Sequence, residues 1–536
     1  MKNLYLIFSI LLFSLTTRAQ YSMIPASPFK VCQYADQQTG VQAFNKGNFT
    51  YVYWLDKRSG KNEVYGQKLD AAGVPQWAAN GKLIATATGA IQAMRVMPWQ
   101  NGTFISWLTL DSSICKYING AGNDVWAQPV LVATTGNGVI YMENTGYNVF
   151  PNDSGVTITH AVIYSGGSDL FTFNRVDFTG NLRWSPLQNM TTLQGYDYRT
   201  TSDNKNGFYV LSKGNGIGST MYIKRYDMQG NAVWPATIDI TSGTSSLGFA
   251  GNIYMSADTA ANLFVCWEAN GGTIQLTKLY AAGGFVWPSL RVAASGPTAQ
   301  YPVRPALKLV NDKLYVTWLE TSGSNSICMM QKIDTSGAIQ WASGGIAIDT
   351  ANGYYGYPKI ALSDSNAVTV FYQGTPGVYF QSQRVRSNGT LSWLPKGRYV
   401  ATVASDWVSY GDYVPLDDEV NGCNVVCWST SASSDIAAAK ICSDGMLVSI
   451  DESLNTVDKI RIYPNPAKDI VQFEGLESSM KLLSIFNSQG QLIEEIQLSG
   501  ETQLQRSVKD IAAGLCIFRI SDKEGQLISQ GKFIVE

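Results

Sequence analysis

The chain is poor in the residues on which several kinds of chemistry depend. Among its 536 residues there is a single histidine, His160. A Ser–His–Asp triad could therefore use no other histidine, and a histidine-based zinc site is not expected. The sequence contains no Cys-x-x-Cys motif and no adjacent cysteines, which removes the usual thiolate zinc and redox motifs. We expect no metal site and no cofactor.

Charge is also scarce. Only 15% of residues are charged, and 39 basic residues face 41 acidic ones, giving a net charge of −2. Nucleic-acid binding depends on concentrated Lys and Arg, so no nucleic-acid partner is expected. Beyond the N-terminus no apolar run is long enough to cross a bilayer, and we expect no transmembrane segment.

The N-terminus has the pattern of a secretory signal peptide. Lys2 is followed by an apolar stretch at 4–15 and by small residues up to Ala19. Cleavage is expected after Ala19, which makes Gln20 the first mature residue. The chain is therefore expected to leave the cytoplasm.

Eight cysteines would allow disulfides in an exported chain, but few positions favour pairing. Cys32 and Cys442 would lie on neighbouring strands if the fold closes as described below, so they are a possible pair. Four others lie inside strand patterns and are expected to be buried as small apolar residues: Cys115, Cys266, Cys328 and Cys427.

A short pattern that returns eight times dominates the sequence. A basic residue is followed five positions later by glycine and then by tryptophan after four more, as in Lys68–Gly73 with Trp77. The aligned glycines are 49 to 58 residues apart and are Gly73, Gly122, Gly180, Gly230, Gly283, Gly337, Gly389 and Gly445. A period of this length indicates one supersecondary unit used many times.

Each unit has the pattern of four strands. In one well-formed copy these are 304–310, 314–319, 327–333 and 338–348, separated by turns rich in Gly, Asn and Asp. The second strand ends in a large ring in seven units, at Trp54, Trp107, Tyr164, Trp267, Trp318, Tyr372 and Trp428; in the fourth unit Leu211 stands there instead. Four-stranded sheets arranged radially bury these rings between them, so we predict an all-β, β-propeller fold.

The last unit indicates how the ring closes. After Gly445 the expected tryptophan position holds Ser449, and the chain leaves the pattern. The segment 28–34 is similar to the outer-strand segment 289–294, so the N-terminal strand is predicted to complete the last blade. This gives an eight-bladed propeller; seven blades plus a decayed unit is the alternative. Its Asp-x-x-Gly-x-x-x-Trp turns resemble the tryptophan-docking text of quinoprotein-type propellers, a resemblance of architecture alone.

The C-terminal segment resembles a known family. Its motifs occur at 462–469, 483–491, 513–520 and 531–535, in the order found in the type A sorting domain of the type IX secretion system of Bacteroidota. The motif residues are Tyr463, Pro464, Asn465, Pro466, Gly490, Gly514 and Lys532. The resemblance implies a small β-sandwich that the outer-membrane translocon recognises and a surface sortase removes. The chain would travel through the periplasm and be secreted or attached to the outer-membrane surface.

These segments give the predicted domain organisation. We assign a signal peptide to residues 1–19, the β-propeller to 20–450, a linker to 451–459 and the sorting domain to 460–536.

Searches for catalytic residues find little. The Asp–Gly spacing does not match the Asp-box of sialidases and is better explained by turn chemistry. His160 has the setting of a strand residue, and the acidic group 417–419 that of a solvated turn. Asp153, Asp203 and Asp364 occupy turns between first and second strands. A calcium site there would require several of these oxygens to converge on one point.

A basic residue before each repeat turn is the oddest regularity. The positions are Lys68, Arg175, Arg225, Lys278, Lys332, Arg384 and Lys440, with Tyr117 in the second unit. They would form either a positive ring for an acidic glycan or a repeated ion pair or ring contact between blades; repeated positions usually serve the repeat, which favours the structural interpretation.

The sequence therefore predicts a secreted propeller that binds or scaffolds rather than catalyses. Glycans or proteins are the expected ligands, and Tyr354, Tyr355 and Tyr357 are candidate ligand-loop residues, as is the stretch 141–150. A polysaccharide hydrolase or lyase, with paired carboxylates in the central channel, and a purely structural surface protein are the alternatives.

Overall fold

The fold is built from strands. The computed structural model describes residues 28–134, 139–164, 169–184, 188–190, 197–214, 220–241, 252–269, 273–287, 291–295, 301–322, 325–349, 356–374, 379–393, 397–401, 408–418, 422–430, 434–445, 447, 460–487, 492–523 and 527–536. These residues form 39 strands and no helix, which confirms the all-β class. The chain divides into two compact units, Met1–Asp451 and Glu452–Glu536. The predicted signal peptide and the linker 451–459 lie outside the described residues.

Seven sheets of the first unit are meanders of four consecutive antiparallel strands. Sheets 1 to 4 are β2 (Gln38–Lys46), β3 (Phe49–Asp56), β4 (Glu63–Leu69), β5 (Lys82–Ala85); β6 (Ala93–Trp99), β7 (Gly102–Leu108), β8 (Ser112–Asn119), β9 (Val130–Thr134); β10 (Val139–Asn152), β11 (Gly155–Tyr164), β12 (Asp169–Asp177), β13 (Gln188–Met190); and β14 (Asp197–Ser202), β15 (Phe208–Lys213), β16 (Met221–Tyr226), β17 (Ile238–Asp239). Sheets 5 to 7 are β18 (Ile253–Ala257), β19 (Leu263–Ala269), β20 (Thr273–Leu279), β21 (Arg291–Ser295); β22 (Tyr301–Val310), β23 (Lys313–Ser322), β24 (Asn325–Asp334), β25 (Ile346–Ala347); and β26 (Gly356–Asp364), β27 (Ala367–Gly374), β28 (Tyr379–Arg386), β29 (Arg398–Ala401).

Sheet 8 joins the two ends of the repeat region. It contains β30 (Val408–Pro415), β31 (Cys423–Thr430) and β32 (Ile436–Cys442), and its outer strand is β1 (Phe29–Cys32). β1 pairs antiparallel with β32, and Lys30 forms an ion pair with Asp435 at 3.4 Å. The predicted place of the N-terminal strand, as the outer strand of the last sheet, is confirmed.

The first strands of the eight sheets follow one another in a ring. We call β2, β6, β10, β14, β18, β22, β26 and β30 the inner strands. Each contacts the next in this order, and β30 contacts β2. This cyclic arrangement is that of a β-propeller.

The repeat glycine makes the turn that ends the third strand. All eight glycines have φ between 74° and 101°, the left-handed region that favours glycine. In sheet 1 the Asp70 carboxylate accepts the N–H groups of Ala72 and Val74, both at 2.9 Å. Turn chemistry, as expected, explains the recurrent Asp.

Neighbouring sheets are joined by a repeated hydrogen bond. The basic residue before the turn donates to the carbonyl two residues before the glycine of the next sheet. The pairs are Lys68–Gly120, Arg175–Met228, Arg225–Ala281, Lys278–Thr335, Lys332–Ser387 and Lys440–Ala71, at 2.7 to 3.4 Å. The repeat tryptophan donates to the same carbonyl position in five sheets, at Trp126, Trp234, Trp287, Trp341 and Trp393.

The basic positions have the structural role that was expected, but the contact between sheets is a hydrogen bond and not the expected ion pair. The acceptor across the seam is a backbone carbonyl and not a carboxylate. Their ion pairs are formed inside a sheet, as between Arg225 and Asp203 at 2.7 Å and between Arg384 and Asp364. Several stems also lie over rings, such as Lys68 at 3.8 Å from the Phe49 centroid.

The large ring position of the second strand needs correction in two sheets. The residue opposite the basic position is Tyr51 in sheet 1, Thr157 in sheet 3 and Tyr209 in sheet 4. Trp54 lies three residues after Tyr51. Counting three residues on from Thr157 and Tyr209 in the same way reaches His160 and Ser212. These residues occupy the ring position in sheets 3 and 4, and not Tyr164 and Leu211. All the residues at this position are buried, because they fill the space between sheets.

The cysteine pairing also differs from the prediction. Cys442 forms a disulfide with Cys423, which lies directly opposite it on β31. Cys32 is instead opposite Ile436; it is buried and unpaired as a thiol, as are Cys115, Cys266, Cys328, Cys427 and Cys516. Burial raises the pKa of the Cys32 thiol to about 11.

The second unit contains two sheets around its own core. One is β33 (Arg461–Tyr463), β34 (Ile470–Glu474) and β37 (Gln503–Ser507); the other is β36 (Leu492–Gln497), β35 (Leu482–Asn487), β38 (Gly514–Ser521) and β39 (Leu527–Val535). Phe473, Phe518 and Phe533 lie at the centre of the core. The Asn465 side chain accepts the Ile534 N–H at 2.9 Å, which ties the first motif to the last strand.

The motif residues of this unit fall at strand ends and on one edge strand. Tyr463 ends β33, Gly514 begins β38, and Lys532 lies in β39 opposite Ile517. Gly490 lies outside the described residues.

Candidate binding site on the inner strands

The residues singled out for chemistry do not form one site. His160 is fully buried in β11, and neither ring nitrogen has a hydrogen-bond partner among the described residues. Asp417 accepts the Leu362 N–H at 2.8 Å and pairs with Lys308. Asp418 donates its backbone N–H to the Leu362 carbonyl. The Asp417 carboxylate therefore fastens the end of sheet 8 to sheets 6 and 7, and the Asp418 backbone adds a bond to sheet 7. Glu419 lies outside the described residues.

The turn carboxylates are also engaged. Asp203 and Asp364 pair with basic residues of their own sheets, and Asp153 accepts a bond from Asn206 at 2.6 Å. Within the described residues no group of three or more His, Cys, Asp or Glu side chains could hold a metal ion.

Of the three candidate tyrosines, one is described. Tyr354 and Tyr355 lie outside the described residues, as do the side chains of 139–145. Tyr357 lies on the inner strand β26 and is half-buried. Tyr357 lies in a β-bulge. Because bulges often occur beside functional sites, the inner strands are the candidate location of a site.

The same bulge occurs on three inner strands. In sheets 1, 6 and 7, two residues oppose one large buried ring of the second strand. The pairs are Gly40–Val41 opposite Trp54, Arg304–Pro305 opposite Trp318, and Tyr357–Pro358 opposite Tyr372. The first residue of each has a positive φ: 67° at Gly40, 53° at Arg304 and 39° at Tyr357.

Glycine is the residue that this type of bulge favours. A side chain in the left-handed region costs about 1–3 kcal/mol, and Arg304 and Tyr357 both occupy it. The Arg304 guanidinium lies over the Tyr357 ring at 4.3 Å from its centroid. A partly exposed contact of this kind contributes about 0.5–1 kcal/mol.

Other inner strands also carry basic side chains. Lys359 donates to the Tyr413 carbonyl at 2.6 Å, and Arg95 donates to the Tyr147 carbonyl at 2.9 Å. Arg199 pairs with Asp197. We call Arg199, Tyr254, Arg304, Tyr357 and Lys359 the inner-strand cluster. All five are half-buried.

Electrostatics show that side chains from separate sheets converge here. Burial raises the pKa of Tyr254 in sheet 5; Cys266 and Tyr357 raise it further, whereas Arg199 lowers it. Tyr413 of sheet 8 is buried, which raises its pKa well above the usual value, and Tyr254 adds to the rise. Groups from sheets 4, 5, 7 and 8 are thus close enough to influence one another.

Each basic side chain of the cluster has an acidic neighbour: Asp197 at Arg199, Glu268 at Arg304 and Asp412 at Lys359. Burial lowers the pKa of Lys359 to about 8, against a smaller opposing effect of Asp412. Asp412 accepts the N–H groups of Gly40 at 2.7 Å and Val41 at 3.0 Å and a bond from Ser429. Arrays of Arg, Lys and Tyr of this kind suit binding of an anionic group beside an apolar or sugar face.

Sequence reasoning did not find Arg304 or Lys359. One signal was available: Arg304-Pro305 and Tyr357-Pro358 occupy equivalent positions in adjacent repeats. Proline lacks an N–H group and is tolerated in a sheet at bulges. A repeated X-Pro at the first strand therefore indicates where the ladder is interrupted.

The fold defines a propeller-like, all-β protein with a separate C-terminal β-unit. Residues 461–536 match the sequence profile of the family described as "Secretion system C-terminal sorting domain". The sorting domain of the type IX secretion system is thereby confirmed, and the chain is cargo that is secreted or attached to the cell surface. The search for helices in the described residues finds none long and apolar enough to cross a membrane.

Other comparisons give distant likenesses. The chain is 21% identical over 320 residues to the long tail fiber protein Gp37 of Escherichia phage AR1, covering 57% of this chain and 27% of that protein. Oligopeptidase B from Trypanosoma brucei has 10% identity and a TM-score of 0.43, covering 81% of this chain and 56% of that one. The β-propeller domain of the Trilobed protease from Pyrococcus furiosus has 9% identity and a TM-score of 0.38, covering 71% and 98%. The chain thus spans only part of the first two proteins, and no activity is carried over from them.

Proposed function

We propose that this protein is an eight-bladed β-propeller delivered to the cell surface, where it binds glycans without chemical turnover. The observation that carries the proposal is the composition of the inner-strand cluster. The cluster combines three basic side chains, Arg199, Arg304 and Lys359, with the ring faces of Tyr254 and Tyr357. Tyrosine presents rigid amphipathic area on which a sugar ring can stack.

The enzyme alternative predicts a different arrangement. Glycoside cleavage needs two free carboxyl groups about 5–10 Å apart. The described carboxylates beside the cluster have partners within the protein: Asp197 pairs with Arg199 and Lys213, Asp412 is held by Gly40, Val41 and Ser429, and Glu268 accepts the Arg304 N–H at 3.4 Å. This occupation favours binding over catalysis.

Delivery follows from the two ends of the chain. We infer that the segment 1–19 directs export to the periplasm and that cleavage leaves Gln20 at the new N-terminus. The sorting domain would then be recognised by the outer-membrane translocon and removed by a sortase. The propeller would remain on the surface or be released.

The test is a glycan-array screen of the purified chain from Gln20 to Glu536, with a turnover assay on each glycan bound. Binding without change in the glycan is the expected result. Release of shorter products would contradict the proposal and favour the enzyme. Absence of any bound glycan would contradict it as well, leaving a protein ligand or a structural role.

A further inference from the structure

The second unit exposes apolar side chains on one face of its four-stranded sheet. The register places Leu492, Phe486 and Ile517 side by side on β36, β35 and β38, and places Leu515 beside Ile534 on β38 and β39. Opposed residues of paired antiparallel strands share a face and lie close together. These five side chains therefore form one continuous surface, which we call the apolar patch.

The apolar patch faces away from the core of this unit. The alternate residues of β38, Cys516, Phe518 and Ile520, lie in the core between the two sheets. Three members of the patch are exposed and the other two are half-buried. A contiguous apolar surface that a fold leaves open marks an interaction site, whereas exposed apolar residues scattered singly do not.

The outer face of the other sheet is different. On β34 and β37 the outward side chains include Gln472, Glu474, Gln503 and Gln505, with Ile470 among them. One outer face of this unit is thus apolar and the other is mainly polar. This asymmetry fits a unit that is bound from one side.

Motif residues of the sorting domain border the apolar patch. Gly514 begins β38, and Lys532 lies opposite Ile517. The Asn465 side chain accepts the Ile534 N–H at 2.9 Å. Residues that are far apart in the sequence, and by which this unit resembles a sorting domain, therefore meet around the exposed surface.

We propose that the apolar patch is the surface by which the outer-membrane translocon holds this chain. The inference rests on the delivery route proposed above and not on the glycan ligand. The unit matches a secretion-system sorting domain, so the partner that recognises it belongs to that system. The occupant is a translocon protein with an apolar surface of its own, because protein interfaces enclose an apolar centre within a polar rim. Arg519, whose guanidinium lies 5.5 Å from the Phe486 ring centroid, stands at that rim.

The test compares two isoleucines of equal exposure on the two outer faces. Ile534 in the patch exposes 45% of its surface, and Ile470 on the polar face exposes 41%. Ile534→Glu places a charge in the patch, Ile470→Glu is the matched control, and Ile534→Val keeps the patch apolar. Each full chain would be expressed in the cell that produces it and measured in the surface and periplasmic fractions. The purified chains would be compared by melting temperature.

We expect Ile534→Glu to lower the surface fraction by about fivefold or more and to accumulate in the periplasm, since an unpaired charge buried in an interface is costly. Ile470→Glu and Ile534→Val should stay within about twofold of the natural chain, as surface substitutions usually do. A benzoylphenylalanine at position 534 should cross-link to a translocon protein under light, and one at position 470 should not.

Unchanged delivery of Ile534→Glu, or an equal loss in Ile470→Glu, would overturn the inference. If Ile534→Glu melts below Ile470→Glu, the cross-link decides: a translocon adduct at 534 supports the docking face, and its absence removes it. A natural chain that sediments as a dimer and becomes monomeric in Ile534→Glu would make a second copy the occupant instead.

The delivery route can fail separately from the docking face. Delivery that persists after deletion of residues 452–536 would remove the route and the docking face together. Delivery that is lost on deletion but kept in Ile534→Glu would remove the docking face alone.

Discussion

The Lys440 ammonium of the last sheet donates to the Ala71 carbonyl of the first sheet at 3.2 Å. Lys68 makes the same bond to the Gly120 carbonyl between sheets 1 and 2. The seam between the two ends of the ring thus uses the same contact as the seams inside it. The closing sheet adds the β1–β32 pairing to this bond.

Removing the closing bond should therefore weaken the ring as much as removing an internal one. We expect Lys440→Met to lower the free energy of unfolding by about 1 kcal/mol, since one hydrogen bond is lost and the apolar stem is kept. Lys68→Met is the matched control. Chemical denaturation of both variants measures this. If Lys68→Met lowered the free energy of unfolding and Lys440→Met did not, the hydrogen bond between the last and first sheets would contribute nothing to stability.

His160 should make stability depend on pH. Burial lowers its folded pKa to about 4, below the unfolded value of about 6.5. The unfolded chain therefore takes up a proton first, and stability present above pH 6.5 is lost as the pH falls towards 4, by up to about 3 kcal/mol. No other histidine titrates in this window.

The variant His160→Phe should flatten this dependence, because it removes the titrating group and two buried nitrogens without partners. Melting temperatures measured from pH 7 to pH 4 would show it. Ser212→Ala, at the equivalent position of sheet 4, should keep the natural profile. Identical slopes for His160→Phe and the natural chain would refute the assignment.

The disulfide between Cys423 and Cys442 should be the one cross-link of the chain's eight cysteines. Alkylation of the unfolded, unreduced chain should label six thiols, and peptide mapping should recover the 423–442 link. The double variant Cys423→Ser/Cys442→Ser should have a free energy of unfolding lower by about 3 kcal/mol, which is the stabilisation expected from a disulfide that closes a loop of this length. Cys32→Ala should leave the link intact; a peptide joining Cys32 to Cys442 would contradict the structure.

Deletion of residues 452–536 should separate folding from delivery. The first unit has its own core, so it should keep its melting temperature while accumulating in the periplasm. Cell fractionation measures the distribution. Surface delivery of the truncated chain would show that the sorting domain is dispensable.

Local signals predicted most of the fold. The turn at Gly73 and the ring at Trp77 belong to one pattern of ten residues. Because this pattern recurs along the chain, it predicts the sheets and the number of strands in each. The predicted strand at 28–34 was recognised in the same way. Its partner β32 then followed from the incomplete last repeat.

Features that depend on register were missed. The aromatic residue near the end of the second strand suggests Tyr164, whereas cross-strand pairing places His160 at the ring position. Cys442 was assigned a partner across the seam, whereas Cys423 lies opposite it within the sheet. The strained positions of Arg304 and Tyr357 likewise follow only from pairing with Trp318 and Tyr372.

The pairing of β1 with β32 has a consequence for the timing of assembly. The strand at Phe29–Cys32 is made about 400 residues before its partner Ile436–Cys442. Until that partner arrives, β1 has no strand to pair with, and its backbone edge stays open. Completion of the ring must therefore be a late event, reached only after nearly the whole repeat region is present.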